Sequence, residues 1–168
     1  MICVVDDLTD DYKPSRLVSG GAAFADHLAV NQYIYGGIPL LKLHLPTHFS
    51  ILMDRFYQLI GVEDERSCAE VSNFYHREFS KKCQLDSLDE IGRAIANNAE
   101  VVVSNGFKAR NTKIAEDADI LVAFTFGRGE RLKPGGSADT MRKYLALGKT
   151  QAIHVDLNDM SIYRGVVV

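Results

Sequence analysis

Glycine pairs standing where an apolar run gives way to helical periodicity are the residues of this chain best suited to chemistry, and the chemistry they suit is phosphate binding. The clearest case lies in residues 118–142. Asp119 introduces the run Ile120-Leu121-Val122-Ala123-Phe124, glycines at 127, 129, 135 and 136 release the backbone into a loop, and Ser137 and Asp139 stand where a helix begins. First-turn N–H groups lack intrahelical acceptors and carry the positive end of the helix dipole, so an anion docks there without many lysines. Leu17-Val18-Ser19 runs into Gly20-Gly21-Ala22-Ala23 in the same way. Gly20, Gly21, Gly135 and Gly136 have no Cβ to keep a phosphate off the backbone. Ordinary turn geometry is the competing explanation for either pair in isolation. Asp26, one turn into its helix, braces the loop or touches a ribose, and Ser137 donates to phosphate or caps its helix.

A second unusual segment is Asn73-Phe74-Tyr75-His76-Arg77-Glu78-Phe79. A histidine among aromatics can contact a base or move a proton, although such a histidine is more often structural, so His76 is a candidate base contact. Glu78 is a further candidate carboxylate. His27, His44, His48 and His154 form no HxH or HExxH spacing, so no metal site is expected, and no cofactor is implied. With no GxSxG elbow and no cysteine in a nucleophile motif, covalent hydrolase chemistry is disfavoured.

These residues must be positioned by strands and helices in alternation. Residues 38–45 (IPLLKLHL) read as a strand with Leu41, Leu43 and Leu45 on one face and Lys42 and His44 on the other. Residues 47–60 read as an amphipathic helical stretch through Phe49, Leu52, Met53 and Phe56, and a second helix runs over about 67–82. A third, over 87–98, opens on a Ser87-Leu88-Asp89-Glu90 capping box. Residues 100–104 form a short β-branched strand, 109–117 a helix, and 137–147 a helix closed by Gly148. Residues 151–157 supply a last strand, and 163–168 an edge strand or a dimer contact. Apolar strands alternating with helices predict an α/β fold: a doubly wound, mostly parallel, Rossmann-like sheet with helices on both faces, whose ligands bind at the carboxyl ends of the strands. A single domain over residues 1–168 is expected, with a helical insertion at about 49–98 whose aromatics are core rather than site. Residues 1–5 read as a strand, with only about a dozen residues before Leu17, close to the minimum for a crossover. The first strand-helix unit is therefore missing or rebuilt.

Composition narrows the function classes. A chain of 168 residues, 46% hydrophobic, can bury one core, and a net charge of −3 without a basic stripe excludes a nucleic-acid surface. Cys3, Cys68 and Cys83 are odd in number and lack CxxC spacing, which fits a reducing compartment. No run approaches the roughly 20 apolar residues that span a bilayer, and no signal peptide is evident, so a cytoplasmic or otherwise intracellular protein without membrane partners is expected. The apolar tail and exposed strand edges predict a homo-oligomer.

Three segments together resemble the SLOG superfamily, which includes the LOG-type phosphoribohydrolases and DprA-like nucleotide binders. Ser19-Gly20-Gly21-Ala22-Ala23-Phe24-Ala25-Asp26 is similar to its GGAxGAD turn. The nine-residue spacing of Arg110 and Asp119 is similar to its arginine and pre-strand aspartate, and Pro134-Gly135-Gly136-Ser137-Ala138-Asp139 resembles a shortened PGGxGTxxE loop. The resemblance covers roughly residues 17–46 and 100–157. Aspartate takes the place of the catalytic glutamate, Ser137 that of threonine, and Asn111 stands where the LOG enzymes carry lysine. The nucleotide-binding set that the resemblance implies is Gly20, Gly21, Ala22, Asp26, Arg110, Asn111, Gly135, Gly136, Ser137 and Thr140, with Asp139 and Arg110 as the catalytic pair.

The expected function is binding of a nucleotide or nucleotide-derived small molecule through the glycine turns. The alternative is N-glycosidic hydrolysis of a nucleoside 5′-monophosphate, Asp139 stabilising an oxocarbenium-like state or activating water while Arg110 holds the substrate. A second alternative is a structural or interaction protein on a degenerate fold, in which Asp139 offsets the N–H groups of its helix and Arg110 pairs with Asp119 or Glu116.

Overall fold

The computed structural model describes residues 1–59, 63–127, 129 and 132–165, the side chains of residues 2 and 63–67 excepted. The chain is mixed α/β and falls into two compact units, Met1–Gly106 and Phe107–Val168, each with its own sheet and core.

The first unit opens with α1 (Ile2–Tyr12), not the strand expected at residues 1–5. Five apolar residues are too few to reveal a period, but Val4 and Leu8 stand one helical turn apart and Leu8 is buried. Lys13 ends the helix in the left-handed region (φ 45°), its N–H donating to Thr9 O at 2.8 Å. Strand β1 (Arg16–Ser19) passes through a 3₁₀ turn (Phe24–Asp26) into α2 (His27–Ile34), which crosses to β2 (Leu40–Leu45). β2 lies between β1 and β5 (Glu100–Val103), parallel to both. Both faces of β2 are covered: Leu41, Leu43 and Leu45 are buried, and so is His44, while Lys42 pairs with Glu100 opposite it at 3.2 Å.

Residues 47–59 do not form the helix expected over 47–60, and residue 60 lies outside the described residues. They make an antiparallel hairpin, β3 (His48–Ser50) and β4 (Arg55–Tyr57), in which Phe49 faces Phe56. Phe49, Leu52, Met53 and Phe56 match a helical period, yet Asp54 adopts a left-handed φ of 44° and Leu52 is 97% exposed, as a turn tip allows. Helices α3 (Glu63–Cys83) and α4 (Ser87–Ala96) follow, and Phe56, Ala69, Leu88 and Ile91 join the β2 leucines in one core. Here Phe56 and Phe79 are buried as expected, but Phe74 and Tyr75 are exposed.

The second unit begins with α5 (Phe107–Asp117), then β6 (Leu121–Thr125), α6 (Gly136–Ala146), β7 (Ala152–Asp156) and β8 (Ile162–Arg164). β6 and β7 are parallel, joined through α6, and β8 pairs antiparallel to β7, so residues 162–164 are a strand of this sheet. Residues 166–168 of the expected C-terminal segment lie outside the described residues. Ala115, Leu121, Ala123, Met141 and Tyr144 form the core. Among the described residues no helix is long and apolar enough to cross a membrane, and all three cysteines are free.

Candidate functional site

In the second unit, α5 carries Arg110, Asn111, Ile114 and Ala115 on one buried face, which brings the first two against the start of α6. Arg110 stacks over the Phe107 ring (5.4 Å) and donates from Nε and Nη2 to Asn111 Oδ1, at 3.2 and 2.9 Å. Asn111 Nδ2 donates onward to Asp139 Oδ2 at 3.0 Å and to Gly136 O at 3.4 Å. Asp139 also accepts from Lys143 Nζ at 2.9 Å, one helical turn on, and Lys143 reaches Lys108 O at 2.7 Å. Thr140 Oγ1 donates to Gly136 O at 3.0 Å. The structure therefore gathers Arg110, Asn111, Gly136, Asp139 and Thr140. Hydrogen bonding from Asn111 first, and then the Lys143 ammonium, hold the Asp139 carboxyl below its ordinary range, so it is an anion at neutral pH.

Gly135 is the N-cap of α6 and offers no side-chain acceptor, and Ser137 is the second helical residue, not the cap. The first-turn N–H groups of α6 are thus left without a capping side chain. Gly135 has an extended backbone (φ 174°) that any residue adopts, and a Cβ built on it would meet nothing within 4 Å. A Cβ on Gly136 would meet only Arg110 Nη2, at 3.7 Å. Neither conformation nor packing demands glycine at 135. Beside this turn Pro134, Ala138, Met141 and Leu145 line a cavity of about 280 Å³, with Arg142 and His154 at its polar side. Glu116, a suggested partner of Arg110, is instead bound to Lys113 at 2.7 Å.

In the first unit the Gly20–Gly21 turn is buried. Gly21 has φ +59°, and a Cβ there would come within 2.5 Å of Leu45 Cδ2, so here glycine is required by both conformation and space. Ser19 Oγ accepts from Gly21 N–H at 3.2 Å and donates to Asp26 O at 2.8 Å, which ties Asp26 to the turn through its backbone. His76 is 0% exposed, its Nε2 3.0 Å from Gly21 O and its Nδ1 3.0 Å from Ser87 Oγ. With both ring nitrogens engaged inside the unit, the imidazole supports the turn; this geometry leaves it no nitrogen for a base. Burial pushes its pKa down to about 4 against the opposing pull of the Gly21 carbonyl, so it is neutral.

The α4 cap differs from the capping box. Asp86 is the N-cap, its side chain accepting from Leu88 and Asp89 N–H at 3.2 Å. Ser87 serves His76, and Glu90 turns inward to His27 Nε2 (2.6 Å), Asn31 Nδ2 (3.0 Å) and the Tyr35 hydroxyl (3.1 Å). Burial raises the Glu90 pKa, but these donors outweigh it and hold the carboxyl below its ordinary range. Sequence reasoning missed Glu90, Ser87 and Lys143 as participants. Only Lys143 had a local signal, its i,i+4 spacing from Asp139. Glu78 pairs with Lys81 on the surface at 2.8 Å. Among the described residues no cluster of three or more His, Cys, Asp and Glu is placed to hold a metal ion.

Neither a family model nor a solved structure matches the chain. A viral protein does: over 128 residues the sequence is 38% identical to an uncharacterised protein of Acanthamoeba polyphaga mimivirus, covering 76% of this chain and 64% of that one. The chain thus spans less than two thirds of the length of the relative it matches.

Proposed function

We propose that this chain binds a nucleoside phosphate or nucleotide-derived ligand at the Gly135–Gly136 turn of its second unit, on a SLOG-like, doubly wound fold. The observation that carries the reading is that Gly135 is glycine where neither backbone nor packing asks for it, at an uncapped helix N-terminus. The buried Arg110–Asn111 pair behind the turn supplies positive charge, and the apolar cavity beside it, near the small end of ligand pockets of roughly 300 Å³, suits a base. Parallel β1-β2-β5 pairing with α2 as a crossover, and parallel β6-β7 pairing through α6, support the fold assignment. Free cysteines accord with a cytoplasmic protein.

The test is calorimetric titration with a panel of nucleoside 5′-monophosphates. Saturable binding that Gly135→Val weakens at an unchanged melting temperature supports the reading, and no binding by any member of the panel overturns it. One observation favours the catalytic alternative: Asp139 is an anion within reach of Asn111 and Lys143, as a carboxylate facing an oxocarbenium-like centre must be. Free base released by the wild type and lost in Asp139→Asn supports cleavage; binding without release limits the protein to recognition.

A further inference from the structure

The cavity of the second unit lies along one face of α6. Met141, Arg142 and Leu145 follow Ala138 by three, four and seven positions, the spacing that stacks side chains on one side of a helix. At a rise of about 1.5 Å per residue, Arg142 stands about 10 Å along the helix from Gly135. That is about the reach of a nucleoside 5′-monophosphate from its phosphate to the far edge of its base.

Leu132, Ala138, Met141 and Leu145 give the cavity a hydrocarbon wall, and its polar side chains are His154 and Arg142. His154 is 2% exposed and its Nε2 lies 2.6 Å from Thr125 Oγ1, so that nitrogen serves the sheet. Arg142 is exposed. Its Nε donates to Ala138 O at 3.3 Å, one turn back, which draws the guanidinium toward the start of α6. Among the described residues no acceptor meets its Nη1 or Nη2. Asp139, the carboxylate of the same helix, is already held by Asn111 and Lys143. No side chain among the described lining residues carries an acceptor oxygen, so the cavity presents its ligand with a planar fork of donors.

A fork of donors discriminates between bases. A 6-oxopurine carries O6 and N7 side by side, two acceptors on one edge that a guanidinium reaches with two parallel N–H groups. Adenine has an amino group in place of O6, which sets donor against donor, and uracil offers O4 with no N7 beside it. We infer that the α6 cavity selects a 6-oxopurine nucleoside 5′-monophosphate, with Arg142 reading O6 and N7 while the hydrocarbon wall covers the ring. This rests on the nucleotide reading above and names the base within it.

The test is calorimetric titration of the full chain with inosine, adenosine and uridine 5′-monophosphates, and with ribose 5-phosphate, which reports the phosphate end alone. Inosine monophosphate is expected to bind about tenfold more tightly than the adenosine or uridine compound. Arg142→Lys keeps the charge without the fork, and Arg142→Met keeps a helix-forming stem without either. In both, the ratio of inosine to adenosine monophosphate affinity should fall to about one. Equal affinity of the wild type for inosine monophosphate and either of the other two overturns the inference and spares the nucleotide reading, as does a preference that survives in either variant. If Arg142→Met weakens ribose 5-phosphate as much as inosine monophosphate, Arg142 serves the phosphate and the inference is overturned. Absence of binding by all four probes overturns both readings. Because Arg142 is exposed, both variants are expected to melt close to wild type. Should Arg142→Met unfold, the affinity ratio in Arg142→Lys decides by itself.

Discussion

The glycine turn at 20–21 and the one at 135–136 look alike in sequence, each following an apolar strand and preceding a helix, but they are glycine for different reasons. Gly21 is buried, left-handed and hemmed in by Leu45, and its carbonyl and N–H are both held by side chains. Gly135 is exposed, extended and bordered by empty space. The first turn is a solution to a packing problem. The second leaves space that the fold does not use, beside an arginine whose guanidinium is fixed by its neighbour. A glycine explained by its own surroundings says little about ligands; one that is not explained says more.

The contrast can be broken in three ways. The largest effect belongs to the clamp on the first turn. The unfolded chain takes up a proton at His76 near pH 6.5, but the folded protein refuses it until about 4, so the unfolded state binds more protons and stability falls as the pH drops through that window. The expected loss is about 3 kcal/mol between pH 6.5 and 4, and His76→Gln should flatten that slope. Urea denaturation of both proteins across this range measures it, and parallel slopes would remove the clamp from the argument.

Next in size is the pair of glycine-to-alanine exchanges. Gly21→Ala should cost about 2 kcal/mol, from the left-handed backbone and the contact with Leu45, whereas Gly135→Ala should stay within about 0.5 kcal/mol of wild type. Denaturation midpoints decide it; equal costs at both positions would mean that the two turns do not differ as described. The smallest effect is at Asn111. Replacing it by alanine removes the first cause of the lowered Asp139 pKa, so that carboxyl should titrate at higher pH, toward its ordinary value, by carbon-13 NMR. An unmoved titration would show that Lys143 alone sets its charge.

The amino-acid order made much of this visible. Residues in α2, α4, α5, α6, β2, β6 and β7 carry their periods and flanking glycines within a few positions, and Arg110, Asn111, Gly136 and Asp139 did come together in the second unit. The hairpin at β3–β4 was hidden because Phe49 and Phe56, seven residues apart, satisfy a helical period and a cross-strand pair equally well. α1 was hidden because a short apolar stretch has no period. The Asp86 cap was displaced by one residue because Ser87 and Glu90, both able to cap, are claimed by partners in other elements.

By itself, then, the sequence determined the local alphabet of this protein: which stretches are apolar strands and where glycines interrupt them. Only tertiary structure decided what each polar group is for. His76 is 55 residues from Gly21 and Glu90 is 63 from His27, separations over which no local preference acts. Their pairing follows from packing of α2, α3 and α4, because a buried imidazole or carboxylate must find a partner and the fold determines which ones are within reach.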